Sequence, residues 1–414
     1  MPPAPQNAAP ASPNDVPKRA LFLIFVIAFL NTMGMTIVIP VVPFLAQRYV
    51  SSPSAVALWV GILTSAYAVF AFLAAPALGA LSDRIGRKPV LLGCVLGSAV
   101  GFVVFGIGGA MWVLLLARII DGVTGGNFST IYAYLADITA PEQRASRFGM
   151  TGAIMGIGFM VGPAIGGLLA VYGLATPVFV AAAISVAAAV LGMFVLPESL
   201  NAEHRSDSFS LADVHPFTSL RRALARPELR PFLLIVLVMT IPMAGLQSNV
   251  SVFGKDVLAW GPTQIGLYMT GVGVLDILVQ GGLVRFLLPR IGERGVVFAG
   301  LIGQAIGYLA LAIVAVYTSA WLFVFGGLLF AASEGGTGPA LQGLISRSVS
   351  HREQGWVMGG LASMSLAARA IGPLLAGVLY ASVGHAAPYW FGLAVIAGVL
   401  TLGWGTLFAG REVA

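Results

Sequence analysis

Charge is what this 414-residue chain has least of. Only 9% of its residues are Asp, Glu, Lys or Arg, against about 25% in an ordinary soluble domain. It has one cysteine, Cys94, and four histidines. No disulfide can form within the chain, and no thiolate metal cluster can be built. Nucleophile–base catalysis has little to draw on, so neither an enzyme nor a bound cofactor or metal is expected. A cleavable leader is not evident either. Lys18 and Arg19 precede an apolar run too long for a signal-peptide core, and that run is expected to stay as the first span. What fills the chain instead is apolar: 58% of residues are hydrophobic. Runs of about 20 such residues recur from Leu21 onward, each enough to cross a bilayer as a helix. The alternating segments of a membrane barrel do not occur. The formal charge of +6 lies between the apolar runs, so it reads as membrane orientation and not as nucleic-acid binding.

Twelve spans are expected, at about 20–46, 57–80, 89–109, 112–137, 146–172, 174–196, 231–254, 262–284, 295–316, 319–343, 354–380 and 385–410. Of the 22 lysines and arginines, all but four then fall on the side that holds both termini. Arg48 and Lys255 lie on the other side, and Arg118 and Arg369 lie inside spans. The bias puts both termini in the cytoplasm of a bacterial-type inner membrane. Residues 1–19, rich in Pro and Ala, read as a disordered cytoplasmic segment. Residues 20–196 form one six-helix bundle and 231–410 a second. Residues 197–230 form a polar cytoplasmic linker with one surface helix, and 411–414 a short tail.

The two halves repeat. Glu142-Gln143 recurs as Glu353-Gln354, Gly149 as Gly359, Gly162-Pro163 as Gly372-Pro373, Gly167 as Gly377 and Gly173 as Gly384, at an offset of 210 or 211. Homologous halves related by an axis along the membrane normal are a transporter architecture, with the site between them.

Three stretches carry a resemblance. The turn after the second span reads Gly79-Ala-Leu-Ser-Asp83-Arg84-Ile-Gly86-Arg87-Lys88, which resembles the signature loop of the major facilitator superfamily. Its second copy keeps Arg290, Gly292 and Arg294. Gly79 and Gly86 are expected to allow a tight turn and close helix contact, and Asp83 to cap a helix N-terminus. The fourth span supplies Leu114, Arg118, Gly122 and Gly125. The fifth supplies Gly158, Gly162, Pro163, Gly166 and Gly167, a pattern that goes with antiporters in that family. Ala133–Thr139, with Asp137 at the cytoplasmic boundary, resembles the tetracycline/proton antiporter branch. So do Leu196-Pro197-Glu198-Ser199, Gly292-Glu293-Arg294 and Pro339–Gln342. The resemblance implies a drug-type proton antiporter with protons as the coupling ion and no cofactor. Where that branch carries charged or titratable groups, this chain has Asn31, Asp276 and Gln304. Where the branch has small residues, it has Asp121, Glu334 and Arg369. The efflux class therefore carries over, and tetracycline as the substrate does not.

Five ionisable groups fall inside spans: Arg118, Asp121, Asp276, Glu334 and Arg369. At that depth a charge costs a few kcal/mol and faces a partner or a cavity. Helical spacing lines up Arg118, Asp121, Gly125, Ser129 and Tyr132 as one polar stripe, a cavity wall. Arg118 and Asp121 can pair directly. Burial disfavours a charged carboxylate and a nearby arginine favours it, so the acid worst placed to pair is the natural proton carrier. That points to Asp276 or Glu334, sharing Arg369. Asn31 and Gln304 are expected at the same cavity, and Met33, Met35, Tyr67, Phe128, Tyr132, Met239, Met243, Tyr268 and Met269 are candidates for an adaptable apolar lining.

The expected fold is thus an all-α membrane protein of two pseudo-symmetric six-helix bundles, working as a monomer in the lipid bilayer. The expected function is proton-driven export of an amphipathic small molecule by alternating access. Two other readings stand: an exporter or symporter of a sugar, metabolite or lipid-linked compound, and a membrane sensor that binds without moving its ligand.

Overall fold

The structure is a computed structural model describing residues 18–200, 203, 205, 225, 230–347 and 354–402. Residues 1–17, nearly all of the linker at 197–230, Glu353 of the repeat and the tail at 411–414 lie outside the described residues. Every regular element is helical. We number them α1 Lys18–Ile37, α2 Val42–Ala46, α3 Pro53–Ile85, α4 Arg87–Ile107, α5 Met111–Gly125, α6 Phe128–Asp137 and α7 Pro141–Leu169. There follow α8 Thr176–Val195, α9 Arg230–Leu258, α10 Pro262–Leu278, α11 Val284–Val314, α12 Ala320–Arg347, α13 Gln354–Ser382 and α14 Ala387–Leu402. Helix is the necessary outcome for these runs, because in hydrocarbon every backbone N–H and C=O must be satisfied within the segment.

Among the described residues, nine helices are long and apolar enough to cross a membrane. Three features separate this number from the twelve spans expected. The stretch Pro262–Val314 is continuous, yet Gly292 within it has φ 68° and ψ 173°, which no helix contains. The fourth expected span is divided at Gly126 and Asn127 into α5 and α6. The last helix has 16 described residues. The N-terminal helix also begins at Lys18, inside the segment expected to be disordered.

Gly86 and Gly292 occupy matching places in the two signature loops, and both have positive φ, 110° and 68°. Gly173 and Gly384 match as well, with φ 142° and 135°. Side chains other than glycine rarely adopt these values. The repeat is therefore one of backbone geometry as well as of letters.

The halves touch chiefly along two helix pairs, α3 with α13 and α7 with α10, with a smaller contact of α3 on α9. The two contacts use the same chemistry. A Cβ on Gly266 would run into the Pro163 carbonyl, and one on Gly61 into the Pro373 carbonyl. Small residues let backbones approach this closely. Hydroxyls then tie the backbones together. Thr263 Oγ1 donates to the Gly167 carbonyl at 2.9 Å. The Leu374 N–H, next to a helix-interior proline, donates to Ser65 Oγ at 3.0 Å. Both contacts lie toward the helix ends remote from the basic loops. Those ends also carry exposed Trp112, Tyr172, Tyr317 and Trp321, the residues that favour a membrane–water interface.

The glycines of α7 divide into two faces. Gly158, Gly162 and Gly166 sit against the α1 backbone at Phe29, Met33 and Ile37, within the same half. Met160, Pro163 and Gly167 face α10. Spacing alone could not assign the faces; the helix register about a fixed neighbour does.

Candidate functional site

The loop after α3 is a knot of charge within the N-terminal half. Arg87 pairs with Asp83, donates from Nε to Asp137 at 3.1 Å and from Nη1 to Ser82 at 2.7 Å. Ser199 Oγ donates to Asp137 at 3.0 Å. Two expectations are corrected. Asp83 does not cap a helix; Glu198 does, accepting the Arg87 and Lys88 N–H groups at 2.8 and 3.2 Å. Asp83 is held away from that N-terminus because it lies one turn back and is taken by Arg87. Gly79 makes no close contact, since open space lies where its Cβ would be. The α3 helix runs on to Ile85, so the turn is confined to Gly86, where a Cβ would collide with Glu198. Arg84 is exposed, and Lys88 reaches the Met193 carbonyl at 2.8 Å.

Arg118 and Asp121 form an ion pair at 3.3 Å with both side chains largely buried. Their immediate neighbours lie within the same half. Asp121 is 3% exposed and fills the space above Gly101 of α4, while Arg118 lies over the Phe105 ring at 4.6 Å. The pair is internal to the packing of α4 on α5. The missing Cβ at Gly101 brings the helices close enough to draw it inward. The single stripe is also interrupted, because the chain breaks at Gly126-Asn127. Beyond the break, Ser129 is exposed and bonds back to the Gly126 carbonyl at 3.1 Å. The Tyr132 hydroxyl points to Met155 Sδ at 4.0 Å. At the break itself, Asn31 donates to Asn127 at 3.0 Å, so the α1 position is neutral and paired to the interrupted span.

The C-terminal half holds a cavity of about 350 Å³ between α9, α12 and α13. Met239 and Met243 form its apolar wall; Thr240, Gln342, Glu334 and Arg369 supply polar groups. Sequence reasoning brought Glu334 and Arg369 together, and the structure does so too, since both line this cavity. Asp276 lies nearby, packed against Gly335 and within electrostatic reach of Glu334. The three charges nevertheless bond neutral amides. Gln304 donates to Glu334 at 2.8 Å, Gln280 to Asp276 at 2.9 Å, and Arg369 donates to Gln247 at 3.3 Å. Gln280 sits in a π-helical turn, Val279–Leu283, that follows Asp276 directly. Such turns often mark functional sites. Tyr268 is not a lining residue; it packs in an aromatic cluster with Trp260 and Phe323.

Sequence reasoning found Gln304, met Gln342 only within a motif, and passed over Gln247, Gln280 and Asn127. Each is an amide inside an apolar run, and that signal was available. Glu198 was noticed only as part of a motif.

Comparison with known proteins accords with this geometry. The family description "Major Facilitator Superfamily" matches residues 24–320 and 256–413. The class C tetracycline resistance protein of Escherichia coli is 35% identical over 380 residues, covering 92% of this chain and 93% of that protein. Multidrug resistance protein 2 of Bacillus subtilis is 28% identical over 398 residues, covering 94% and 96%. Among solved structures, the nucleoside transporter NupG superposes with a TM-score of 0.75 at 12% identity, covering 95% of this chain and all of that one. A human organic anion transporter superposes at 0.67 with 25% identity, covering 92% and 97%. With the match spanning nearly every described helix, the chain is a multi-pass membrane protein and belongs to the major facilitator superfamily, among relatives of the tetracycline resistance proteins.

Proposed function

We propose that this protein is a proton-coupled efflux antiporter that exports an amphipathic small molecule by alternating access. Twelve spans form two six-helix halves, at 20–196 and 231–410, joined by the cytoplasmic linker 197–230, with both termini in the cytoplasm. The observation that carries the reading is the cavity of about 350 Å³ in the C-terminal half. It sets a carboxylate and a guanidinium against a methionine wall. Pockets of this size and mixed lining hold drug-sized ligands. Methionine adapts to irregular apolar shapes.

The coupling follows from charge. Arg369 stays protonated, so Glu334 is the group that can change charge beside the substrate. Its partner Gln304 offers an NH2 to a carboxylate and, after an amide flip, a carbonyl to a carboxylic acid. It can therefore serve both protonation states. A cationic or zwitterionic substrate displaces the proton from Glu334. A proton arriving later releases the substrate. Asp276, just ahead of the π-turn on the helix that contacts the other half, links the site to the moving interface. The glycine–proline contacts α3/α13 and α7/α10 act as the pivots. Here they are closed on the side away from the basic loops, which corresponds to a state open to the cytoplasm. The kinship with tetracycline resistance and multidrug resistance proteins supports export of a drug-like compound.

The test is ΔpH-driven accumulation of ethidium and of tetracycline in everted membrane vesicles. Wild type accumulates at least one probe, and Glu334→Gln loses the response to ΔpH while still exchanging the probe in proteoliposomes without a gradient. Gln304→Leu slows accumulation on the order of tenfold, the worth of one lost hydrogen bond to a charged group. Intact ΔpH-driven accumulation in Glu334→Gln sinks the assignment of Glu334. Failure of the wild type to move either probe would favour the metabolite-exporter reading.

A further inference from the structure

Among the described residues of the C-terminal half, two fully buried hydroxyls have no hydrogen-bond partner, those of Tyr308 and Tyr389. Their exposures are 1% and 0%. Buried polar groups are nearly always bonded, so two orphans in one region call for a reason. Their surroundings supply one. The Tyr308 ring lies on Gly392 of α14, where a Cβ would collide with it. Tyr389 lies three residues earlier on that helix, so the two phenols share its face. Tyr389 is within electrostatic reach of Tyr308 and of Tyr380, and of Tyr268 beside them.

The line continues at both ends. On one side, Gln304 is one turn from Tyr308 along α11 and is bonded to Glu334 at 2.8 Å. Phe330, one turn from Glu334 along α12, meets the Tyr308 ring edge-on with centroids 4.9 Å apart. Tyr308 therefore sits one helical turn beyond the Gln304–Glu334 pair, on the side away from the basic loops. At the other side, Tyr380 donates its hydroxyl to Asp256 at 3.1 Å. Asp256 also accepts from Lys255 at 2.8 Å, and the exposed His385 stacks on Tyr380 at 4.7 Å.

We propose that Tyr380, Tyr389 and Tyr308 form a proton relay through the interior of the C-terminal helices, joining Asp256 at the outer ends of the helices to Glu334. The relay rests on Glu334 being the proton carrier. In each step a phenol oxygen accepts a proton and gives its own hydrogen to the next acceptor. The Glu334 carboxylate ends as a carboxylic acid, every tyrosine ends as a phenol, and no co-reactant is consumed. The unpartnered hydroxyls keep both donor and acceptor capacity in hand. In this state the line is broken at Tyr308 and Tyr389, so a proton cannot run from one face to the other while the cavity faces the cytoplasm. Rocking of α10 and α13 against the other half would close the line when the cavity turns outward. That arrangement prevents a leak and gives the proton its own entrance, apart from the substrate's.

The experiment compares Tyr308→Phe, Tyr389→Phe and the double variant with wild type and Glu334→Gln. ΔpH-driven accumulation of ethidium and tetracycline in everted vesicles is measured in H2O and in D2O. Counterflow of the same probes in proteoliposomes, which needs no net proton movement, is measured alongside. Tyr172→Phe, at an exposed outer loop, serves as a control. The expected result is that the double variant slows accumulation by about a hundredfold or more, the usual worth of a positioned proton-transfer group, while counterflow slows less than about twofold. The solvent isotope effect on accumulation should change with it. Removing an unbonded hydroxyl should leave thermal stability equal or higher, so loss through misfolding is separable. If Glu334→Gln abolishes accumulation while the double phenylalanine variant retains the wild-type rate and isotope effect, the relay is overturned and the carrier stands. If Glu334→Gln retains accumulation, or wild type moves neither probe, carrier and relay fall together.

Discussion

A carboxylate held by an amide behaves differently from one held by a guanidinium. The amide is neutral and can donate or accept; the guanidinium only donates and always carries charge. The described intramembrane charges of this protein divide along that line. Glu334, Asp276 and Arg369 each bond a glutamine, whereas Asp121 bonds Arg118 directly. The two carboxylates of the first group can change protonation without leaving a directly bonded cation behind. The second cannot. Asp121→Asn would leave the Arg118 cation buried between α4 and α5 with its partner neutral, a loss of about 3–5 kcal/mol. A marked fall in melting temperature and in monodisperse yield from detergent is expected. The pair Arg118→Met with Asp121→Leu should recover most of that loss, because a buried ion pair can be replaced by apolar groups of similar volume. If Asp121→Asn keeps wild-type stability and changes only substrate range, the pair belongs to the cavity after all. The existence of five ionisable groups inside spans was legible in the sequence. Their partners were not, because a helix wheel gives a residue's angle and not the neighbour that angle meets.

The elements that matter most for motion are the four helices of the two pivots. Their sequences announce small residues and internal prolines, at Gly61, Pro163, Gly266 and Pro373. They do not announce which helix is opposite. Close packing of a backbone carbonyl on a glycine is decided by hydrogen-like distances that one added methyl would violate. Gly61→Leu or Gly266→Leu should therefore force the halves apart on the side away from the basic loops. Transport of a probe in vesicles is expected to fall on the order of tenfold or more, as for an overpacked contact costing about 1–3 kcal/mol. Folding, followed by fluorescence-detected size exclusion, should be retained, since the change strains one contact and leaves the rest of the buried apolar cluster in place. Gly93→Leu, with open space at its Cβ, should leave transport near wild type. Equal transport in all three variants would show that these contacts are static. The break at Gly126-Asn127 was read as continuous helix, because two glycines and an asparagine in an apolar run cost little on any pattern scale. The bond from Asn31 to Asn127 at this point joins the interrupted span to α1.

At the scale of the whole molecule, the distribution of basic residues and of interfacial aromatics argues for the same orientation from opposite ends. Lys and Arg gather at one set of loops, and exposed Trp112, Tyr172, Tyr317 and Trp321 at the other. With Cys94 buried and replaced by alanine, Arg48→Cys should react with a membrane-impermeant maleimide in intact cells. Arg84→Cys should react only after permeabilisation. The reverse pattern would invert the topology and, with it, the direction of proton flow.

The sequence by itself determined the class of the protein, the number of apolar runs and the doubling of the chain. These depend on composition, on run length and on local backbone demands such as the positive φ shared by Gly86 with Gly292 and by Gly173 with Gly384. Local terms add up along the chain, so they can be read along it. What the tertiary structure decided was which charges stand together and which stand apart. It put Asp121 into a packed seam above Gly101, gave Glu198 the capping role expected of Asp83, and drew Glu334 and Arg369 to one cavity. It also left two phenols unbonded along a line toward Asp256. Those outcomes turn on how each helix rotates about its own axis against neighbours far away in sequence. In an apolar bundle that rotation is set by the fit of small residues, not by any pattern of polarity.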